Sequence, residues 1–256
     1  MGLVAQIKFT DYETSVALAL DAIAASKRLP PRGLIIIKPN LTNADRPPVT
    51  TPVAFVKAIY KYCRRHSRAE IAIGEGCGKG TTAATFQANG YADLAREYDL
   101  QLLDFNTSAT VLLRNAQALQ LKEFHLPKVL REAFLISAPI LKDHSFTLTT
   151  IAMKNMFGIA PAPFYRGSWN KSQLHQPCTH RSVVDICSYK KPDLSIADAV
   201  VALTGMHLAG QPKKLGLILA SFDPVALDAV GSRLLGHDPH QIEYLQLAHG
   251  RLGQIA

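Results

Sequence analysis

The stretch "LKDHSFTLTTIAMKNMFGI", residues 141 to 159, places Lys142, His144 and Lys154 close together, with Asp143 as the single acidic residue among them. Two ammonium groups about 4 Å apart repel by roughly 1 kcal/mol in water and by several times more in a partly dry cleft. An anionic guest relieves that repulsion, and so does a partner carboxylate such as Asp143. The first arrangement is a carboxylate or phosphate site in which His144 exchanges protons near neutral pH; the second is an ordinary charged surface. If residues 147–157 are helical, Thr147, Thr150 and Lys154 share one face, although the β-branched run Thr149, Thr150, Ile151 weakens that helix.

A second group of chemical interest is "GEGCGKGTT", with four glycines in seven residues between a predicted strand and a predicted helix. Backbone N–H groups at Gly76 and Gly78 could cradle an anion at the helix start, or the loop is a tight turn without a ligand. It is not a nucleotide motif: Gly80 follows Lys79 where a P-loop needs Ser or Thr, and the G-x-G-x-x-G pattern fails at Lys79, Thr81 and Ala83. Glu75 reads as a solvated side chain or as a metal ligand or general base. Cys77, a glycine-flanked thiol near a helix start, is a candidate nucleophile of lowered pKa, without a base partner visible in the sequence. His175, Cys178 and His180 fall within six residues and could hold a soft metal or be incidental. His66, His125, His207, His240 and His249 read as surface or satisfied side chains, and His237 belongs to a helix-terminal turn.

The elements that must position these residues alternate. Val16, Ala19, Leu20, Ile23 and Ala24 have helical period, and the apolar run Leu34 to Ile37 reads as a buried strand. Helix 52–66 then precedes strand "AEIAIGEG", and helix 81–98 precedes strand "LQLLDF". "AFLISAPI", "DLSIADAVVAL" and "LGLILAS" supply further strands. Asp223, Pro224 and Gly236 mark the start and end of a last helix. This predicts one α/β domain over residues 1–256, with a mostly parallel sheet covered by helices on both faces in Rossmann-like layers. Residues 160–180 form a long irregular insertion, the kind of loop that is usually functional or mobile. In such a sheet the segments "IIIKPNLTNADRPPVTT", "GEGCGKGTT" and "LKDHSFTLTT" fall at carboxyl ends of strands and could converge on one pocket.

The chain has 256 residues, a formal net charge of +8, 48% hydrophobic and 19% charged residues. That is the composition of a folded protein with a large core, not a disordered one. Lys57, Lys61, Arg64 and Arg68 form a helical stripe, read first as a solvated face and second as a nucleic-acid or membrane patch. Four scattered cysteines without a C-x-x-C pair point to reduced thiols. No apolar run reaches membrane-span length, and residues 1–15 carry no export or lipid-anchor pattern, so the expectation is a cytoplasmic protein without a membrane partner.

Taken together, "IIIKPNL", "IAIGEGCG", "ANGYADLAREYDLQLLDFN", "ISAPILKDHSFTLTTIAMKNMFGI", "KPDLSIADAVVAL" and "LILASFDPVALDAVGSRLLGHDP" resemble the family of the domain of unknown function 362, in order from about residue 33 to 250. The resemblance implies a cytosolic α/β protein and carries no established activity. Some members continue into a ferredoxin-like module bearing iron–sulfur clusters; the four-cysteine run of such a module is missing here, so no cluster is expected in this chain. The family's polar positions fall on Lys38, Asn40, Glu75, Lys142, His144, Lys154, Asn155, His175, Asp198 and Asp223.

The leading expectation is an enzyme for a small anionic metabolite. Lys38, Asn40, Gly76, Gly78, Lys154 and Asn155 would bind it, and His144, Lys142 and Glu75 would act on it. A divalent metal, with His175 and Asp198 as candidate ligands, is compatible with this set, and the sequence does not choose among magnesium, zinc and iron. The alternatives are a redox component working beside an electron carrier and, last, a nucleic-acid-binding module using the basic stripe, which lacks interleaved aromatics suited to base stacking.

Overall fold

The computed structural model describes residues 2–255. The chain opens with β1 (Ala5–Lys8) and α1 (Tyr12–Ala22), followed by β2 (Leu34–Pro39), α2 (Val53–His66) and β3 (Glu70–Glu75). Next come α3 (Thr82–Ala88), α4 (Tyr91–Tyr98), β4 (Gln101–Asp104), β5 (Thr110–Arg114) and β6 (Glu123–Pro127). The central segment holds β7 (Phe134–Ala138), β8 (Ile140–His144), β9 (Leu148–Thr150), α5 (Ala152–Asn155) and α6 (Ala162–Tyr165). The chain closes with α7 (Thr179–Tyr189), β10 (Leu194–Thr204), β11 (Gln211–Ser221), α8 (Pro224–Leu235) and α9 (Glu243–Ala248).

The main sheet runs in the order β1-β11-β10-β7-β2-β3-β4, with β8 beside β10 and β9 beside β8. Pairings among β10, β7, β2, β3 and β4 are parallel, while β11 pairs antiparallel with β1 and β10. The protein is therefore α/β with a mostly parallel sheet. A separate hairpin of β5 and β6, which the sequence pattern did not reveal, lies off this sheet.

β2 is an interior strand because its run has no polar alternation, so both faces must be covered. Ile35 and Ile37 pack with Val16, Leu20, Phe55 and Ile59 of α1 and α2, whereas Ile36 packs on the other face with Leu135, Met153 and Val183. Two layers of helices thus cover the sheet, and the carboxyl ends of β2, β3 and β8 emerge on the same edge.

Two expectations need correction. The helix predicted over 81–98 is broken into α3 and α4, because Gly90 takes a positive φ of 77° that ends one helix and starts the next. The helix predicted over 147–157 is a strand followed by one short helical turn. The β-branched residues of "LTT" pair antiparallel with β8, in the register Lys142 with Thr150, Asp143 with Thr149 and His144 with Leu148.

The short helix α5, which carries Lys154 and Asn155, is too short to hold itself together. Asp228 of α8 supplies the missing cap: its carboxylate accepts from the backbone N–H of Ala152 at 2.7 Å and of Met153 at 3.2 Å, and from the Tyr244 hydroxyl at 3.0 Å. Burial pushes its pKa up to about 7 against these donors. Among the described residues, no helix is long and apolar enough to cross a membrane.

Asp228→Asn turns an accepting oxygen into a donor facing the donors it now serves. The expected outcome is a loss of about 1–3 kcal/mol, read from urea unfolding at constant m-value.

Candidate functional site

A cavity of about 460 Å³ opens where these strands end. Asn40 and Thr42 follow β2, Glu75 ends β3 with Gly76, Gly78 and Lys79 after it, and Lys142, His144 and Thr150 come from the β8–β9 hairpin. Lys154, Asn155, Trp169, Lys171, His175 and His207 complete the wall. Strand alternation sorts the hairpin's charges. Lys142, His144 and Thr150 face the cavity, whereas Asp143 points the other way, where it accepts from the Gly205 N–H at 2.6 Å and pairs with His237 Nε2 at 2.8 Å. Asp143 is therefore not the counter-ion of Lys142 or Lys154.

The floor is a buried polar network. Lys38, fully buried, donates to Glu75 Oε2 at 2.9 Å, to the Pro39 carbonyl at 3.0 Å and to Asn155 Oδ1 at 3.1 Å. Glu75 also accepts from the N–H groups of Leu41 and Gly76 at 3.0 and 2.8 Å. Asn40 bridges onward, donating to Asn155 Oδ1 at 3.2 Å and accepting from Lys142 at 2.9 Å. Lys142 donates as well to the Val49 carbonyl at 2.8 Å. The Glu75 carboxylate is thus tied to three donors and anchors the floor.

Among the described residues Glu75 is the only carboxylate in the wall, and Lys142, Lys154 and Lys171 are each 7% exposed or less. Lys171 donates to the carbonyls of Gly76 and, at 3.1 Å, Phe157. Lys154 stands apart: its Nζ sits 3.4 Å from the centroid of the Phe157 ring, and among the described residues it meets no hydrogen-bond acceptor. Burial lowers the pKa of all four lysines: Lys142 to about 7, Lys171 to about 8, Lys154 well below the usual lysine value, and Lys38 less than fully offset by Glu75. For Lys154 the neighbouring Lys142, Lys171 and Lys38 add repulsion to desolvation.

Three imidazoles complete the wall. The rings of His144 and His207 stack at 4.1 Å, and His175 lies 6.4 Å from His144. The Phe146 N–H donates to His144 Nδ1 at 3.0 Å, so the neutral ring carries its proton on Nε2. Burial and then the Lys154 charge hold His144 far below its ordinary pKa; His175 falls to about 3 and His207 to about 4. Both influences disfavour the protonated form of His144, against the expectation that it exchanges protons near neutral pH. His207, read from sequence as a surface or satisfied residue, is a wall residue whose buried Nδ1 has no partner among the described residues, as is also true of Thr150 Oγ1.

Other sequence expectations scatter. Gly76 and Gly78 line the cavity, but the Gly76 N–H is bound to Glu75 and those of Gly78 and Lys79 donate to the Thr42 carbonyl, so the glycine loop is not an open cradle of N–H groups. Cys77 is buried and its thiol pKa is raised, the reverse of an activated nucleophile. Asp198 is outside the wall, on β10, accepting from the Tyr12 hydroxyl at 2.7 Å and the Val200 N–H at 2.8 Å, so it does not join His175. Cys178 and His180 turn toward α9, where His180 Nδ1 accepts from the Tyr244 N–H. Asp223 caps α8. Among the described residues no group of three or more His, Cys, Asp or Glu is arranged to hold a metal. On the basic stripe, Lys57 pairs with Glu97 and Lys61 with Glu13, and Arg64 donates to the Ser67 carbonyl. Sequence reading missed Lys171; its signal was the irregular insertion, in which it takes a left-handed turn conformation.

A family model described as "Domain of unknown function (DUF362)" matches residues 35–233, well over half of the chain. The chain belongs to this family. A thylakoid-associated protein of Synechocystis sp. is 28% identical to this DUF362 chain over 235 residues, covering 87% of it and 69% of the relative. Among solved structures, the lactate racemase apoprotein of Thermoanaerobacterium thermosaccharolyticum is similar in fold, with a TM-score of 0.58 and 16% identity. That match covers 91% of this chain, which spans a little over half (56%) of the racemase chain. The family match takes in every wall lysine, including Lys79, and the floor network.

Gly158 of "MKNMFG" passes against the floor so closely that a Cβ there would collide with Glu75 Oε1 and Lys38 Nζ. Gly158→Ala is therefore expected to split the buried pair and cost about 3 kcal/mol or more, since each charge would lose its partner while remaining buried. Thermal and urea unfolding of the variant beside Gly158 protein check it.

Proposed function

We propose that this DUF362 protein is an enzyme that binds a small anionic metabolite, a carboxylate or a phosphate, in the lysine- and histidine-lined cavity. One observation carries the reading: Lys142, Lys154 and Lys171 converge on a cavity whose only carboxylate among the described residues, Glu75, is already held by Lys38 and two backbone N–H groups. Like charges held together out of water are costly, and an anion entering from solvent converts that repulsion into binding energy. Thr150 Oγ1 and His207 Nδ1, buried without partners, supply further groups for a polar guest.

The roles follow from geometry. Lys142 and Lys171 hold the negative charge, the neutral imidazoles of His144 and His175 hydrogen-bond the guest, and Glu75 with Lys38, Asn40 and Asn155 keeps the floor rigid. Phe146 and Trp169, half exposed at the mouth, offer apolar surface to the rest of the molecule. A protein of similar fold acts on lactate, a small carboxylate, which supports that class of guest. We place the protein in the cytoplasm; the thylakoid-associated relative adds a membrane-adjacent setting to test by fractionation.

The pH dependence has a definite sign. Ammonium forms of Lys142 and Lys171 are lost as pH rises through about 7 and about 8, so anion affinity should fall between pH 6 and 9. In the unliganded protein the same lowered pKa values act oppositely. The unfolded chain keeps these protons up to the usual lysine value, so the stability withheld by the buried charges returns as pH climbs above 7.

Thermal-shift titration with acetate, propionate and inorganic phosphate at pH 6 and pH 9 tests both. At a hundredfold excess over Kd the expected gain is about 2.7 kcal/mol, or roughly 5–10 °C for a chain of this size. Lys142→Met and Lys171→Met should each weaken binding by about tenfold or more, ~1.4 kcal/mol. If no anion shifts the melting temperature at pH 6, the reading is wrong.

A further inference from the structure

The wall treats its lysines unequally. Lys142 and Lys171 each have two oxygen acceptors, which fit an ammonium waiting for an anion. Lys154 has none among the described residues: its amine rests on the face of Phe157, with three other lysines as neighbours and His144 and His175 close enough to feel its charge. A lysine desolvated against an apolar ring and crowded by cations gives up its proton more readily than an exposed one, and the freed amine is a nucleophile toward carbonyl carbon. We propose that Lys154 forms a Schiff base with the carbonyl carbon of a small 2-oxo carboxylate whose carboxylate group is held by Lys142 and Lys171. This rests on the anion-binding reading above and narrows it to a substrate class and a covalent step.

The step balances without a redox partner. The Lys154 nitrogen attacks the carbonyl carbon, a C–N bond forms, and one amine hydrogen passes to the carbonyl oxygen to give a carbinolamine. The second amine hydrogen then travels to that hydroxyl, the C–O bond breaks, and water leaves with both hydrogens, giving the imine. His175 is placed as the carrier: in the tautomer that donates Nδ1–H to Thr179 Oγ1 at 3.3 Å it keeps a lone pair on Nε2. Thr150 Oγ1, buried at the wall without a partner, is available to the oxygen that departs. A 2-oxo acid fits because its carboxylate and its electrophilic carbon are adjacent, as the holding lysines and the free amine are here. A cavity of about 460 Å³ is large enough for such an acid with a substantial side chain.

The test is reductive trapping. The full chain is incubated with pyruvate and sodium cyanoborohydride at neutral pH, weighed intact and mapped by peptide mass spectrometry, with propionate as the anion that lacks a carbonyl. The expected result is a single secondary-amine adduct on Lys154, suppressed by excess propionate. Lys154→Arg should lose the adduct and still be stabilised by propionate. Mapping on the unaltered chain keeps the test decisive if that variant fails to fold. Stabilisation by pyruvate and propionate without any adduct overturns the Schiff base and leaves the anion site standing. Absence of any stabilisation by either acid overturns the anion site itself. An adduct on Lys142, on Lys171 or spread over surface lysines, or one that persists in Lys154→Arg, removes Lys154 from the role. Trapping of a phosphorylated aldehyde in place of pyruvate overturns the substrate class.

Discussion

Keeping lysine ammonium groups out of water is the constraint around which this cavity is built. Stripping an ion of its hydration costs several kcal/mol even after relaxation, and the protein must return that through partners or by letting the proton go. The four buried lysines show graded solutions. Lys38 receives a carboxylate, a carbonyl and an amide oxygen; Lys142 an amide oxygen and a carbonyl; Lys171 two carbonyls; Lys154 only a ring face. Compensation thus falls from three oxygen acceptors at Lys38 to two at Lys142 and Lys171 and, among the described residues, none at Lys154.

The fold supplies the rigidity that such an arrangement needs. The central strands end together, so the loops after β2 and β3 meet without long reaches. The floor network links them through Glu75, Asn40 and Asn155, each of which joins two segments distant in sequence. The short helix α5 has its first N–H groups fixed by Asp228, a carboxylate outside the cavity wall that nevertheless helps set where Lys154 stands.

Much of this was legible in the chain. The unbroken apolar runs around Ile36 and Ile73, separated by amphipathic helices, announce a parallel sheet with two covered faces. Its strand ends identify the segments that carry Lys38, Glu75 and Lys142. The hairpin of β8 and β9 was hidden because Pro139 separates it from β7 and because three strand residues are too few to show a period. Lys171 and His207 were hidden for a different reason. Both sit in irregular segments whose path is set by tertiary packing, so no spacing rule connects them to the rest of the wall. Glu75 looked like a base because sequence shows a carboxylate and not the three donors that occupy it. Asp198 looked like a ligand because it falls on one of the family's polar positions, yet the Tyr12 hydroxyl and the Val200 N–H already claim it.

The two-residue alternation of the β8–β9 hairpin has an implication for how this part of the chain can change over time. A single residue added to or removed from the tight turn around Ser145 and Phe146 would rotate one strand by half a period, exchanging the inward and outward sets. Such a slip would aim Asp143 at the basic interior and Lys142 at His237, reversing the sign of the hairpin's contribution in one event. Amino-acid replacements can tune this wall gradually, but length changes in that turn cannot, so the spacing between Lys142 and Lys154 is held by geometry before any demand of chemistry is considered.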